Sequence, residues 1–214
     1  MYKYLLFDLD GTLTDPQEGI TKSFQYALKH YGIDESLENL NRVIGPPLVD
    51  SFMQFYGMNK ADALSAVEKY RERFSSIGIH ENKIYPKTAD MLAELKANGK
   101  TVALATSKPL VFAEKILNDF DIAKYFDVQM GSELDGTRNK KSEVIAEVIK
   151  RLNNPPKDSI LMIGDRRQDI EGAKSVGIAS LGVRFGFAEP GELEHAGADY
   201  IVDTVSELKE FLLR

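Results

Sequence analysis

The stretch LLFDLDGTLTD, residues 5 to 15, decides the fold. A short apolar run, Tyr4 to Phe7, leads directly into Asp8, and Asp10 follows after one more residue. A continuous apolar run of this kind is typical of a strand that is buried on both faces of a parallel sheet. Two carboxylates at the end of such a strand raise each other's pKa unless a cation holds them. The stretch therefore predicts a buried strand that ends in a site for two acids.

The rest of the chain repeats strands of this kind and separates them with helices. The further apolar runs that resemble strands are TVALAT (101–106), FDVQM (126–130), SILMIG (159–164), IASLGV (178–183) and DYIV (199–202). Apolar stripes with helical spacing lie between them, such as the stripe from Val144 to Leu152. This alternation predicts an α/β fold, with a Rossmann-like parallel sheet and right-handed crossovers.

The interval between the first and second strands has a different character. From about Asp15 to Tyr85 it lacks strand runs and carries two stripes of helical spacing, one from Ile20 to Tyr31 and one formed by Leu64, Val67 and Phe74. We therefore expect a core domain of residues 1–14 and 86–214, with a helical cap domain of residues 15–85 inserted into it. A cap on two connectors can close over a site at the strand ends.

Polar side chains follow several of the predicted strands. In open parallel sheets, ligands bind outside the carboxyl ends of the strands, so these side chains are expected to converge on one crevice. The residues in question are Asp8, Asp10, Thr106, Ser107, Asp165 and Asp169, together with Lys140 and Lys141 at the start of a later helix.

A magnesium ion accounts for the two neighbouring acids, because carboxylate oxygens and substrate phosphate are the ligands that Mg²⁺ prefers. One acid held by the metal can attack phosphorus and form an aspartyl phosphate. The other acid can protonate the leaving oxygen and later deprotonate a water molecule. Phosphoryl transfer requires mainly positioning and charge stabilisation. A hydroxyl that donates a hydrogen bond to a phosphoryl oxygen supplies the first, and the charge of a lysine supplies the second.

Four segments resemble, in order and spacing, the four motifs of the haloacid dehalogenase (HAD) superfamily. They are DLDGT (8–12), the strand end at Thr106, the lysine, and GDRRQD (164–169). The resemblance covers essentially the whole chain, and the helical insert resembles the first cap type of that superfamily (C1). The segment RVIGPPL (42–48) resembles the specificity loop of the phosphoglycolate-phosphatase-like branch, and GSELDGTRNKKSEVI (131–145) is similar to the bacterial 5′-nucleotidase-like members of that branch.

The resemblance implies a role for each acid. Asp8 corresponds to the nucleophile and a metal ligand. Asp10 corresponds to the general acid and base, with its backbone carbonyl on the metal. Asp165 corresponds to the third protein ligand of Mg²⁺, and Asp169 to a supporting acid. An acid at both position 8 and position 10 favours a phosphatase over a dehalogenase, because cleavage of a phosphoester needs the second acid.

The resemblance also implies roles for hydroxyls and a lysine. The expected substrate-binding residues are Thr106, Ser107 and Thr12. We place the functional lysine at Lys141, because the sequence SEVI that follows it begins a helix, and Lys140 is the alternative. Many relatives have proline after this lysine and asparagine after the threonine, and this chain has neither. Lys108 is expected at the surface or at the rim of the site.

These features predict a Mg²⁺-dependent phosphatase that hydrolyses a small phosphomonoester through an aspartyl phosphate, with 5′-nucleotides favoured by the GSELDGTR segment. A phosphoglycolate phosphatase is the alternative, and a β-phosphoglucomutase-like phosphomutase is a further one. Receiver domains of signalling proteins combine similar residues, but their acid pair is adjacent and their chains are shorter.

Composition limits the partners. The formal net charge of −6 argues against a nucleic acid polymer, because binding one requires a basic face. The absence of cysteine excludes disulfides and thiolate metal sites. No segment approaches the roughly 20 apolar residues that span a bilayer, and the N-terminus does not resemble a signal peptide. We expect a cytoplasmic monomer or homodimer that acts on a small phosphorylated metabolite and has no membrane partner.

Overall fold

The computed structural model describes residues 2–214 and divides the chain into two compact units. The larger unit comprises the chain up to Asp15 and from Ile84 onward. The smaller unit is Pro16–Lys83. Among the described residues, no helix is long and apolar enough to cross a membrane.

A six-stranded sheet lies at the centre of the larger unit. Its strands, in spatial order, are β5 (Val128–Ser132), β4 (Thr101–Pro109), β1 (Tyr4–Phe7), β6 (Ile160–Gly164), β7 (Ala179–Val183) and β8 (Tyr200–Val202). Every neighbouring pair is parallel, as the buried apolar runs predict. Tyr4 is paired with Thr101 on one side and with Ile160 on the other, so β1 is central. Two short strands, β2 (Thr14–Asp15) and β3 (Lys83–Ile84), form a separate sheet.

Among residues 2–214, six α-helices accompany this sheet in the larger unit. They are α4 (Thr88–Ala97), α5 (Leu110–Asp119), α6 (Lys141–Arg151), α7 (Arg167–Val176), α8 (Glu192–Ala196) and α9 (Val205–Leu213). The predicted apolar stripe of α6 is buried, and Val144 and Val148 belong to one core cluster with Leu6 and Met162 of the sheet. This packing holds the beginning of α6 against the strand ends.

The smaller unit is helical, as its apolar stripes and its lack of strand runs predict. Its helices are α1 (Gln17–His30), α2 (Leu48–Tyr56) and α3 (Lys60–Phe74), with 3₁₀ turns at Glu38–Val43 and Gly78–His80. Phe24 of α1 is stacked on Phe52 of α2, with ring centroids 4.0 Å apart. The expected place of Leu64 in the apolar stripe is wrong, because its side chain is 49% exposed. The helical period instead buries Ala63 and Val67 on the inner face of α3.

Strand β4 contains a bulge at its carboxyl end. Its pairing with β5 is regular up to Ala105 and shifts before Pro109, so residues 106–108 lie opposite Gly131 alone. A Cβ atom on Gly131 would lie 2.4 Å from the carbonyl oxygen of Lys108, and glycine therefore permits this close approach. The predicted strand ends at Thr106, whereas β4 continues through the bulge to Pro109.

Candidate active site

Three buried carboxylates lie together at the carboxyl ends of β1 and β6. Asp8 directly follows β1, and its backbone N–H donates to the carbonyl of Ile163 at 2.9 Å. Asp165 directly follows β6, and Asp169 lies in the first turn of α7. One carboxylate oxygen from each of these three acids lies within 4.8 Å of the others. The structure thus brings together three of the four acids that the sequence singled out.

Lys141 occupies the space between two of these acids. Its Nζ lies 2.8 Å from Oδ1 of Asp8 and 2.8 Å from Oδ1 of Asp169, and it donates to the carbonyl oxygen of Ala105 at 3.0 Å. Burial by itself lowers the pKa of a lysine, but the two carboxylates outweigh this and hold the pKa of Lys141 above its usual value. Lys140 is exposed at the beginning of α6. The structure therefore brings Lys141, and not Lys140, to the acids.

Asp169 also closes the first turn of its own helix. Its Oδ2 accepts a hydrogen bond from the backbone N–H of Arg166 at 3.1 Å, in a capping box that fixes the carboxylate to α7. Burial is the main cause that raises the pKa of Asp169 to about 6, and the Lys141 charge opposes it while the Asp8 charge adds to it. Asp169 therefore connects the beginning of α7 to the lysine.

Asp165 has one bound oxygen and one without a partner. Its Oδ2 accepts from the backbone N–H of Phe187 at 2.7 Å, whereas Oδ1 is buried and accepts no hydrogen bond from residues 2–214. Burial, followed by the charges of Asp169 and Asp8, raises the pKa of Asp165 well above its ordinary value. Oδ1 of Asp165 is thus a buried carboxylate oxygen that is free to bind a ligand. Carboxylate oxygens are the ligands that a hard divalent cation prefers, so the three acids fit such a cation.

Asp10 lies apart from this group and has a different partner. Its Oδ2 is 2.5 Å from Nζ of Lys108, and its Oδ1 is buried without a hydrogen-bond partner in the described chain. Burial raises the pKa of Asp10, while the charge and hydrogen bond of Lys108 act in the opposite direction. The expectation that Lys108 lies at the surface or rim is wrong, because its side chain is only 6% exposed. The bulge in β4 carries this side chain inward.

The hydroxyl-bearing residues lie on the turn after β1 and on the bulge of β4. The Thr12 hydroxyl is buried and has no hydrogen-bond partner among the described residues. The Thr106 hydroxyl accepts from the backbone N–H of Lys108 at 3.2 Å, and the Ser107 carbonyl accepts from the Ser132 hydroxyl at 2.8 Å. The substrate-binding roles of Thr12, Thr106 and Ser107 stay predictions.

The loop after β7 is a part of the site that our sequence analysis missed. The backbone N–H of Phe187 holds Asp165, and a Cβ atom on Gly186 would lie 2.4 Å from the carbonyl oxygen of Gly11. The loop contributes backbone atoms, so no polar side chain in the sequence marks it. Its position after a predicted parallel strand, together with the glycine in FGF (185–187), was the available signal.

A glycine in the first turn also determines how closely Asp165 approaches. Gly11 has φ +79°, and a Cβ atom there would lie 2.0 Å from Oδ2 of Asp165. Gly136 has φ +88° and open space around it. We expect Gly136→Ala to lower the free energy of unfolding by about 1 kcal/mol through backbone strain alone. Gly11→Ala should cost about 1–3 kcal/mol more, since Asp165 must move. Urea unfolding of both variants measures the difference, and equal losses would contradict it.

Comparison with known proteins identifies the family. A family model described as haloacid dehalogenase-like hydrolase matches residues 5–183. This range contains all of the acids, hydroxyls and lysines described above. The chain therefore belongs to the haloacid dehalogenase-like hydrolases.

Individual relatives agree with this assignment. A protein of Pseudomonas aeruginosa described as a 5′-nucleotidase is 46% identical over 204 residues, which are 94% of this chain and 92% of that protein. A crystal structure described as a predicted phosphatase from Clostridium acetobutylicum has a TM-score of 0.97 and 45% identity, with 100% of this chain and 99% of that chain covered. A phosphoglycolate phosphatase of Vibrio parahaemolyticus is 29% identical and covers 97% of this chain and 95% of its own length. The protein is thus an enzyme, a phosphatase of the haloacid dehalogenase family.

Proposed function

We propose that the protein is a Mg²⁺-dependent phosphatase that hydrolyses a small phosphomonoester, with 5′-nucleotides as the favoured substrates, through an aspartyl-phosphate intermediate. One observation carries the proposal. Lys141 forms ion pairs with both Asp8 and Asp169 at 2.8 Å each, and its single charge offsets only one of them, while a third acid, Asp165, keeps a buried oxygen without a partner. A buried cluster with more carboxylates than lysine charges fits a cation and an anionic substrate.

Three protein groups carry out the chemistry. The Asp8 carboxylate attacks phosphorus, the bond between phosphorus and the leaving oxygen breaks, and Asp10 gives that oxygen a proton. Asp10 then takes a proton from water as the water oxygen attacks phosphorus, and the bond to Asp8 breaks to release inorganic phosphate. The Thr106 hydroxyl is proposed to donate to a phosphoryl oxygen through both steps.

The residues proposed to hold the metal are Asp8, Asp165 and the backbone carbonyl of Asp10. When bound, Mg²⁺ supplies charge neutralisation and polarises a phosphoryl oxygen. Asp169 has a carboxylate oxygen in the same group, but its Oδ1 already lies 2.8 Å from Nζ of Lys141 and its Oδ2 accepts a hydrogen bond from the backbone N–H of Arg166. This supports a role for Asp169 in fixing Lys141, and in that way in supporting the site.

The substrate is proposed from two lines of support. The segment 131–145 resembles 5′-nucleotidase-like members, and the Pseudomonas relative described as a 5′-nucleotidase is 46% identical. The phosphoglycolate phosphatase relative, at 29% identity, makes phosphoglycolate the second candidate. We propose that the helical residues 15–85 act as the cap that selects between such substrates, because substrate closure by a cap excludes water and completes a site.

Phosphate release by the purified enzyme tests the proposal. The substrates are 5′-nucleoside monophosphates, phosphoglycolate, pyrophosphate and β-glucose 1-phosphate, each with Mg²⁺ and with EDTA. We expect Mg²⁺-dependent release, led by the nucleotides. We also expect a loss of about 10²-fold or more for Asp165→Asn, since it removes a charge from the proposed metal site.

The matched control is Asp158→Asn, which removes an exposed acid before β6 and should leave the rate unchanged. Release led by phosphoglycolate would keep the chemistry and replace the substrate. Isomerisation of β-glucose 1-phosphate without phosphate release would indicate a mutase. Release that is unaffected by EDTA would contradict the metal dependence.

A further inference from the structure

Lys108 is a buried cation outside the four family motifs. Its side chain is 6% exposed and the Asp10 side chain is 11% exposed, with Nζ 2.5 Å from Oδ2. An ion pair with so little exposure is costly to desolvate, and it is therefore weak evidence for a purely stabilising role. The partner of Lys108 is the acid to which the proposed function gives both proton transfers.

The bulge in β4 brings Lys108 to this position. Residues 106–108 lie opposite Gly131 alone, and the backbone passes so close that any Cβ there would meet the Lys108 carbonyl. The hydroxyl of Ser132 fastens the bulge from β5 through the Ser107 carbonyl, and the Thr106 hydroxyl accepts the Lys108 N–H. In a regular strand, successive side chains alternate between the two faces, so the bulge changes which way this residue points.

We propose that Lys108 is a positioning residue for Asp10. It binds Oδ2 and thereby prevents rotation of the carboxyl group, so that Oδ1, which is buried and unpartnered in the described chain, is the oxygen that exchanges the proton. This inference rests on the acid–base role of Asp10 in the proposed function. It adds the residue that orients Asp10. A catalytic side chain needs such a neighbour to hold it in the productive geometry.

A positioning role of Lys108 has a kinetic consequence that a purely structural role would not have. A 5′-nucleotide leaves as an alkoxide, which needs a proton as the bond from phosphorus to oxygen breaks. p-Nitrophenyl phosphate leaves as a stable phenolate and needs none. The kcat/KM of both substrates reports the first phosphoryl transfer and excludes the later hydrolysis of the intermediate. Loss of Lys108 should therefore reduce the two values unequally.

The experiment measures kcat/KM for both substrates in the wild type and four variants. We expect Lys108→Met to lower the nucleotide value by about 10²-fold, which lies within the range for general acid catalysis, and the p-nitrophenyl value by less than about tenfold. Asp10→Asn provides the benchmark for this unequal pattern. Lys108→Arg keeps a charge near Oδ2 and should recover part of the nucleotide value. Lys150→Met removes a 75% exposed lysine and is the matched control, with no change expected.

A second route to the same pattern avoids changing the ion pair itself. Gly131→Ala should displace the bulge and produce the unequal loss with Lys108 still present. This variant and Lys108→Arg test the inference even if Lys108→Met does not fold. Thermal unfolding of each variant identifies those that do fold.

Two outcomes would overturn the inference, and they differ in meaning. Equal losses for both substrates would show that Lys108 acts on the phosphoryl group or on folding, and the proposed function would remain. If the wild type released phosphate from neither of the two substrates, the proposed function would be contradicted, and so would the positioning role that rests on it.

Discussion

Asp8→Asn is expected to lower phosphate release by at least about 10³-fold, because an amide oxygen is a poor nucleophile and the proposed intermediate forms on this side chain. The substitution keeps the shape of the residue and one oxygen near Lys141, so the fold should persist. Acid-quenched enzyme should carry a phosphorylated peptide that contains residue 8 in the wild type and none in the variant. Mass spectrometry of the digested protein makes this measurement.

A matched variant separates this loss from a general effect of removing an acid. Asp158→Asn is the same chemical change at an exposed position and should keep both the activity and the phosphorylated peptide. Full activity of Asp8→Asn would contradict the nucleophile assignment. A phosphorylated peptide that contains another acid would transfer the role to that residue.

Lys141→Met is expected to give the second large effect, on both stability and rate. The change leaves Asp8 and Asp169 buried without the cation that lies 2.8 Å from each. Removing one partner of a buried pair typically costs about 3–5 kcal/mol, and we expect a loss of this size in the free energy of unfolding measured with EDTA present. Phosphate release should fall by about 10²-fold or more, since Asp8 would lose the group that orients it.

The neighbouring lysine provides the control. Lys140→Met changes the same residue type one position earlier, where the side chain is exposed, and should alter the unfolding free energy by less than about 0.5 kcal/mol. Its phosphate release should match the wild type. Similar effects of the two substitutions, or a larger effect at position 140, would reverse the assignment of the functional lysine.

The sheet of the larger unit could be predicted because its signals are local. Each buried strand is a short apolar run, and Asp8 and Asp165 directly follow two of these runs in the sequence. The rule that ligands bind at the carboxyl ends of parallel strands then brings the acids to one edge. The parallel sheet and the family resemblance are both confirmed. The individual roles of the site residues stay predictions.

Three features depended on contacts that no local pattern contains. The inward turn of Lys108 results from a register shift between β4 and β5, and a sequence read one strand at a time does not reveal it. Leu64 belongs to an apolar stripe in the sequence, but its side chain lies off the buried face of α3. The contact from Phe187 to Asp165 uses a backbone N–H, which every residue except proline possesses.

The central position of β1 affects when the enzyme can become active during synthesis. This strand leaves the ribosome well before both of its partners, since it is paired with Thr101 of β4 and Ile160 of β6. Until β6 has been made, the strand that precedes Asp8 has at least one unpaired edge, which is a surface for wrong pairing. Contacts so distant in sequence form slowly. Asp8, the proposed nucleophile, is therefore translated long before the strands that complete its surroundings.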